Sequence, residues 1–297
     1  MIAIATDDGV RTPEALGVSE LGGHAVSALA AAGEDLWALV DQAAVWRRRD
    51  GEWAEVAADT TPRLRCLLPW DGGALAGTAE AHLVRVGPRA VEPVDGFERA
   101  PGRGDWFTPW GGPPAVRTIA AGAEGELYVN VHVGGILRSD DDGASWRPTI
   151  DIRSDVHEVL AVPGRPGLVL AATGVGTATS EDGGASWSFA HEGLAGRYCR
   201  AVTLAGDTVL LSASNGPRGG DAAVYRRPLG ADGPFQRCTD GFERNIDTGC
   251  LAADGELAAF GTEDGRVFVS RDAGASWKVE VSGLPAVQAL VVTDHDD

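Results

Sequence analysis

The sequence predicts an all-β fold, a seven-bladed β-propeller, on three observations. A short box with the pattern S-x-D-x-G-x-x-W recurs. Apolar strand pairs recur in front of each box at about the same period. The two chain ends read as complementary pieces of one such unit. The 297 residues would otherwise suggest roughly two domains on length alone. The repeat instead predicts a single propeller domain over 1–297.

The box stands at 139–146 as S-D-D-D-G-A-S-W, at 180–187 as S-E-D-G-G-A-S-W and at 270–277 as S-R-D-A-G-A-S-W. A short Asp side chain bonds nearby backbone amides and closes a turn. Gly supplies positive φ, and the Trp folds back as an apolar anchor. Decayed copies stand at 45–53 (V-W-R-R-R-D-G-E-W) and 224–235. From Trp146 to Trp187 is 41 residues, and from Phe235 to Trp277 is 42. That spacing suits a blade of four short strands.

The front half of each unit is an apolar strand, a Gly or Asp turn, and a second apolar strand. First strands begin near Val26, Leu64, Val116, Val156, Cys199 and Thr248, and a seventh runs from Val287 to Val292. The seventh has no second strand after it. The segment I-A-I-A-T-D-D-G at 2–9 resembles L-A-A-F-G-T-E-D-G at 257–265 and supplies the missing strand. Such closure removes exposed sheet edges.

Composition narrows the function. A net charge of −18 argues against nucleic acid or an anionic membrane as partner. The only lysine is Lys278, which removes Schiff-base and phosphate-lysine chemistry. There is no apolar run of about 18 residues and no leader-like start. The four cysteines form no CxxC pair, so neither a zinc knuckle nor a disulfide framework is expected, and a reducing cytoplasm is the simplest compartment. No cofactor is expected.

The three boxes resemble the Asp-box, or BNR repeat, of sialidases, sortilin-type receptors, xyloglucanases and photosystem-assembly factors. The resemblance covers the whole chain as a repeat architecture and implies a propeller. It implies that the box lies on the turn between third and fourth strands. The binding face is then the opposite one, built from first-strand beginnings and second-to-third turns. Asp141, Asp182 and Asp272 are therefore expected to be turn residues.

On that face one aligned first-strand position holds Ser27, Arg65, Arg117, His157, Arg200, Gly249 and Gln288. Arg, Arg, His, Arg in four consecutive blades inverts the chain's overall sign. Either the guanidinium groups meet a small anionic or polar ligand, or each pairs with an acidic residue of a neighbouring blade. His132, from a second-to-third turn, stands one blade before His157. The pair can act as general acid and base, can bind metal, or can be ordinary hydrogen-bonded histidines. No third metal ligand is evident, so no metal site is expected. The connections into the first strands add Tyr198, Asn245 and Asp247. The longest connection, 96–114, carries Trp106, Phe107 and Trp110, as a stacking lid for a sugar or ring or as a plug of the channel.

The sialidase resemblance implies Arg65, Arg117 and Arg200 on a carboxylate and Tyr198 as nucleophile. The absence of an Arg-Ile-Pro segment and the count of seven blades set this chain apart from sialidases. Three readings remain open: a top-face site for a small anionic or polar molecule, with or without His-assisted catalysis; a non-catalytic platform for a protein partner; and an Asp-box glycoside hydrolase, which would need two carboxylates at a set separation.

Overall fold

The computed structural model describes residues 1–13, 17–58, 60–88 and 90–293. It is a seven-bladed β-propeller. Six blades are antiparallel four-stranded sheets in simple up-and-down order, their first strands being Val26–Ala32, Leu64–Trp70, Val116–Ala121, Val156–Ala161, Tyr198–Ala205 and Leu251–Asp254. Those positions are the ones that the apolar pattern predicts, with the sixth displaced by three residues from Thr248. Among the described residues no helix is long and apolar enough to cross a membrane.

The seventh sheet joins the chain ends. Strand Val287–Val292 pairs antiparallel with Ile2–Thr6, from Ile2 opposite Val292 to Thr6 opposite Val287, and Ile2–Thr6 pairs with Gly9–Arg11. Every residue of Ile2–Thr6 is buried, as a strand inside a sheet should be, so the expected sharing of one blade holds.

The chain packs as two compact units. One comprises Met1–Leu29, Ala172–Thr177 and Phe189–Asp297; the other comprises Ala30–Ala171 and Ala178–Ser188. In the first, Ile4, Leu210, Val224, Leu251, Phe260 and Leu290 share one core. The Phe260 ring stacks on Phe268 at 4.6 Å and meets Trp277 edge-on at 4.9 Å. In the second, Leu75, Phe97, Leu127, Val129, Leu137 and Trp146 pack together. Blades approach most closely where a second strand carries glycine. A Cβ on Gly77 would lie 2.3 Å from Val116 Cγ1, and one on Gly261 would lie 2.3 Å from Val287 Cγ1. At these points the first strand of the next blade occupies the space that a side chain would need.

All three boxes share one hydrogen-bond scheme. In the first, the Ser139 hydroxyl donates to Asp141 Oδ1 at 2.9 Å and accepts from Gly143 N at 2.8 Å. Asp141 Oδ1 also accepts from the Ser145 amide at 2.8 Å, and Oδ2 accepts from the Ser145 hydroxyl at 2.6 Å. The Asp therefore clamps a residue four positions on, closing a wider turn than the two-residue reach that a single Asx turn suggests. Asp182 and Asp272 repeat the scheme. The hydroxyls of Ser186 and Ser276, with the amides beside them, hold the carboxyls of Asp182 and Asp272 down to about 2.

A folded-state pKa below the ordinary value of 3.8 contributes stability that is present above about pH 4. That contribution is lost as pH falls toward about 2. Thermal melts from pH 7 to pH 2 should therefore show a steep fall below pH 4. A double variant, Asp182→Asn with Asp272→Asn, should start lower at pH 7 and fall less steeply over that interval. Parallel curves would show that the boxes do not set the acid limit.

The 45–53 segment forms a tighter hairpin than a box. Strands Ala44–Arg49 and Glu52–Ala57 are joined through Asp50 and Gly51, both at positive φ (51° and 83°). Two such residues make the mirror-image turn that matches strand twist.

Candidate functional site

In the unit holding residues 30–171, three polar side chains converge between two adjacent blades. His132 follows strand Leu127–Val131, and its amide donates to the Ala115 carbonyl at 2.8 Å. The next residue, Val133, has φ of 55°, a conformation that a β-branched residue adopts only when its surroundings impose it. Asp155 closes the short 3₁₀ turn Ile152–Ser154 and is itself left-handed, with φ of 50°. His157 is the second residue of Val156–Ala161 and is fully buried. The left-handed turn at Asp155, just before the strand that carries His157, brings its carboxylate to both imidazoles.

The His132 Nε2 lies 3.4 Å from Asp155 Oδ1, and the His157 Nε2 lies 3.4 Å from Asp155 Oδ2. The imidazole centroids are 6.0 Å apart. Burial pushes His132 below its ordinary pKa against the pull of Asp155, and the charge of Arg117 acts in the same direction as burial. Burial also works to raise Asp155, but the two imidazoles outweigh it and hold the carboxyl well below the usual range. Asp155 is thus a fixed carboxylate, and His132 favours its neutral form.

The 96–114 connection divides its aromatic residues. Trp110 is 66% exposed, and its ring lies 5.1 Å from that of His132 at 37°. Trp106 instead packs inward, 5.7 Å from Phe97, with the Arg103 guanidinium 5.0 Å above its ring. Arg103 pairs with Glu98 at 2.9 Å, and the Glu98 carboxylate accepts from His82 Nδ1 at 2.8 Å. That network anchors the base of the loop and leaves Trp110 near its tip.

The aligned arginines share a structural device. The pairing of first and second strands slips by one residue between Leu64 and Cys66 and again between Val116 and Thr118. A similar slip lies between Cys199 and Val202. Arg65, Arg117 and Arg200 fall in these bulges, which re-aim a side chain out of the regular alternation. Arg65 is exposed and Arg117 half-buried.

Arg200 belongs to the other compact unit, where its partner is internal. Its Nη1 donates to Asp247 Oδ1 at 2.8 Å, its Nη2 donates to the Pro217 carbonyl at 3.3 Å, and its plane covers the Tyr198 ring at 5.3 Å. Tyr198 thus supports Arg200 from beneath. Asn245 donates to the Pro217 carbonyl at 3.2 Å. Arg200, Asn245 and Asp247 line one cavity of about 560 Å³, which Arg218, Arg244 and Glu263 also border. Asp7 and Gln288 complete its polar wall.

Three of these groups escape a reading of the sequence. Arg218 and Arg244 sit in connections with no periodic pattern to place them. Asp155 resembles an ordinary turn residue in R-S-D-V-H. The spacing Asp155-x-His157 at the start of a strand is the signal that joins it to the histidines. Burial pushes the Cys66 thiol up to about 12 and raises Cys199 as well, which holds both as thiols at neutral pH.

No protein-family model matches the chain, and no curated protein matches it. Solved structures do. The GH74 enzyme of Niastella koreensis superposes with a TM-score of 0.63 at 16% identity, over 94% of this chain and 47% of that enzyme. The chain therefore spans about half the length of that protein. The RRP9 WD40 repeats superpose with a TM-score of 0.64 at 13% identity, over 98% of this chain and 89% of theirs. YCF48 bound to D1 peptide gives 0.58 at 16% identity, over 83% and 77%. Hydrolases and non-catalytic propellers stand side by side in this set, and what the chain shares with all of them is the β-propeller fold.

Proposed function

We propose that the chain is a ligand-binding propeller of the Asp-box type that takes a small, hydroxyl-rich polar molecule, such as a sugar or sugar acid. The observation that carries this reading is the 560 Å³ cavity whose lining holds Arg200, Arg218 and Arg244, the acids Asp7, Asp247 and Glu263, and the amides Asn245 and Gln288. Donors and acceptors are balanced in that wall. Arg200 is already neutralised by Asp247 at 2.8 Å, so a polyanion finds less free positive charge than the run of arginines in the sequence suggests. A molecule with many hydroxyls uses both kinds of group. The three repeated boxes support the Asp-box assignment, and a GH74 xyloglucanase from Xanthomonas campestris that shares the fold, with a TM-score of 0.59 at 15% identity, acts on a carbohydrate.

Thermal shift with neutral oligosaccharides, sugar acids and sodium sulfate tests the reading. At least one of the sugars should raise Tm with concentration, approaching about 2.7 kcal/mol of stabilisation at a hundredfold excess over Kd. Asn245→Ala or Arg244→Ala should weaken that shift while leaving the free protein's Tm within about 2 °C of wild type. A shift with sulfate alone, lost in Arg244→Ala, would replace the sugar by a simple anion. No shift with any of the three overturns the reading.

A protein partner is the second reading. Phe107 and Trp110 are 56% and 66% exposed within four residues of one another, and exposed aromatics close together mark contact surfaces. YCF48, one of the similar folds, has been solved with a peptide. Trp110→Ala should abolish such binding without touching the sugar response.

A further inference from the structure

We propose that His132, Asp155 and His157 form a mononuclear site for a divalent transition-metal ion of the Zn²⁺ kind. The site uses none of the residues that line the sugar cavity, so either proposal can fail alone.

Distance is the first argument. Both imidazole Nε2 atoms lie 3.4 Å from the carboxylate, one from each oxygen. One donor atom from each of the three side chains lies within 4.8 Å of the other two. Zn²⁺ holds N and O donors at about 2.0–2.2 Å in a tetrahedron, which sets neighbouring donors roughly 3.3–3.6 Å apart. A bare imidazolium–carboxylate pair closes further, to about 2.7–2.9 Å. His82 and Glu98 in this same chain do so at 2.8 Å. The three donors around Asp155 stand close enough that small side-chain rotations bring one atom of each to a common centre.

Donor chemistry is the second. Two imidazoles and one carboxylate suit Zn²⁺, Co²⁺ or Ni²⁺, whereas Mg²⁺ and Ca²⁺ take oxygen almost throughout. The third is access. The His157 side chain is wholly buried and that of His132 is 8% exposed, while Asp155 is 36% exposed. Two ligands are buried and the third is partly exposed to solvent, so a fourth position can be filled by water or a ligand oxygen. The Trp110 ring lies 5.1 Å from that of His132, on the side of the exposed loop.

The test uses the whole chain, stripped with a chelator and dialysed. Added Co²⁺ should saturate at one equivalent at pH 7.5 with the visible absorption of a four-coordinate ion, and Zn²⁺ should displace it. Calorimetry with Zn²⁺ should give one site, and Tm should rise with free Zn²⁺. Asp155→Asn and His132→Gln should each weaken Zn²⁺ at least tenfold, while the circular dichroism and Tm of the metal-free variants show that they fold. Buried His157 is left intact for that reason. The tail at 294–297 reads Asp-His-Asp-Asp and offers ligands by its sequence, so His295→Gln is the control and should bind as wild type does. The proposal is overturned if neither ion binds stoichiometrically, if both site variants bind undiminished, or if His295→Gln removes the binding.

Discussion

Deletion of residues 287–297 should abolish the cooperative unfolding transition and send the protein into aggregates. The lost strand buries Val287, Leu290 and Val292, each at most 6% exposed. Each such side chain is worth about 1.5–3 kcal/mol on burial, so the three together reach roughly 5–9 kcal/mol. That is most of the 5–15 kcal/mol that a folded domain has in all. The deletion also leaves Ile2–Thr6, buried along its whole length, as a bare apolar edge. Size-exclusion chromatography and a thermal melt decide the matter. A monomeric deletion variant melting at the wild-type temperature would show that the end-to-end pairing does not hold the structure together.

Trp146→Ala should cost about 3–5 kcal/mol, the range for removing a large buried aromatic ring. The Trp146 ring is 5% exposed and meets Phe97 edge-on at 5.2 Å, and its Nε1 donates to the Gly143 carbonyl at 3.0 Å. Trp187, at the same box position, is only half-buried, with its Nε1 on the Thr149 carbonyl at 2.8 Å. Its replacement by Ala should therefore cost less. Urea melts of the two variants should rank in that order, and neither should change ligand affinity in the folded protein. Equal costs would mean that burial of the box Trp is not what sets its contribution.

The two tryptophans also show how far the sequence could be read. The box is local chemistry: Asp141, Ser139, Ser145 and Gly143 are all within seven residues, so the pattern of letters is the turn itself. The strands were legible for the same reason, because alternation and turn residues are local. The pairing of Ile2–Thr6 with Val287–Val292 became legible because a repeat that starts halfway through a unit must borrow its other half. The sites were less so. Arg65, Arg117 and Arg200 align in sequence and share a bulge, but whether a guanidinium meets Asp247 or solvent is decided by connections of irregular length. Asp155 joins His132 only through the packing of one blade's turn against the next blade's first strand. Trp106 and Trp110 are near neighbours in one loop, yet one ring sits on Phe97 and the other over His132. No periodicity distinguishes them.

The seam between the chain ends has a consequence for biosynthesis. Strand Ile2–Thr6 leaves the ribosome ahead of all the blades between, and its partner Val287–Val292 follows only after them. At about 5–20 residues per second, roughly 15–55 s pass between the two. Throughout that interval a fully apolar-faced strand waits without its neighbour, while blades between them can form from local hairpins as they emerge. The closing step of this propeller is then the capture of its earlier-made strand by its later-made partner. Any factor that shields the nascent amino-terminal strand would raise the yield of native protein more than one acting on the middle of the chain.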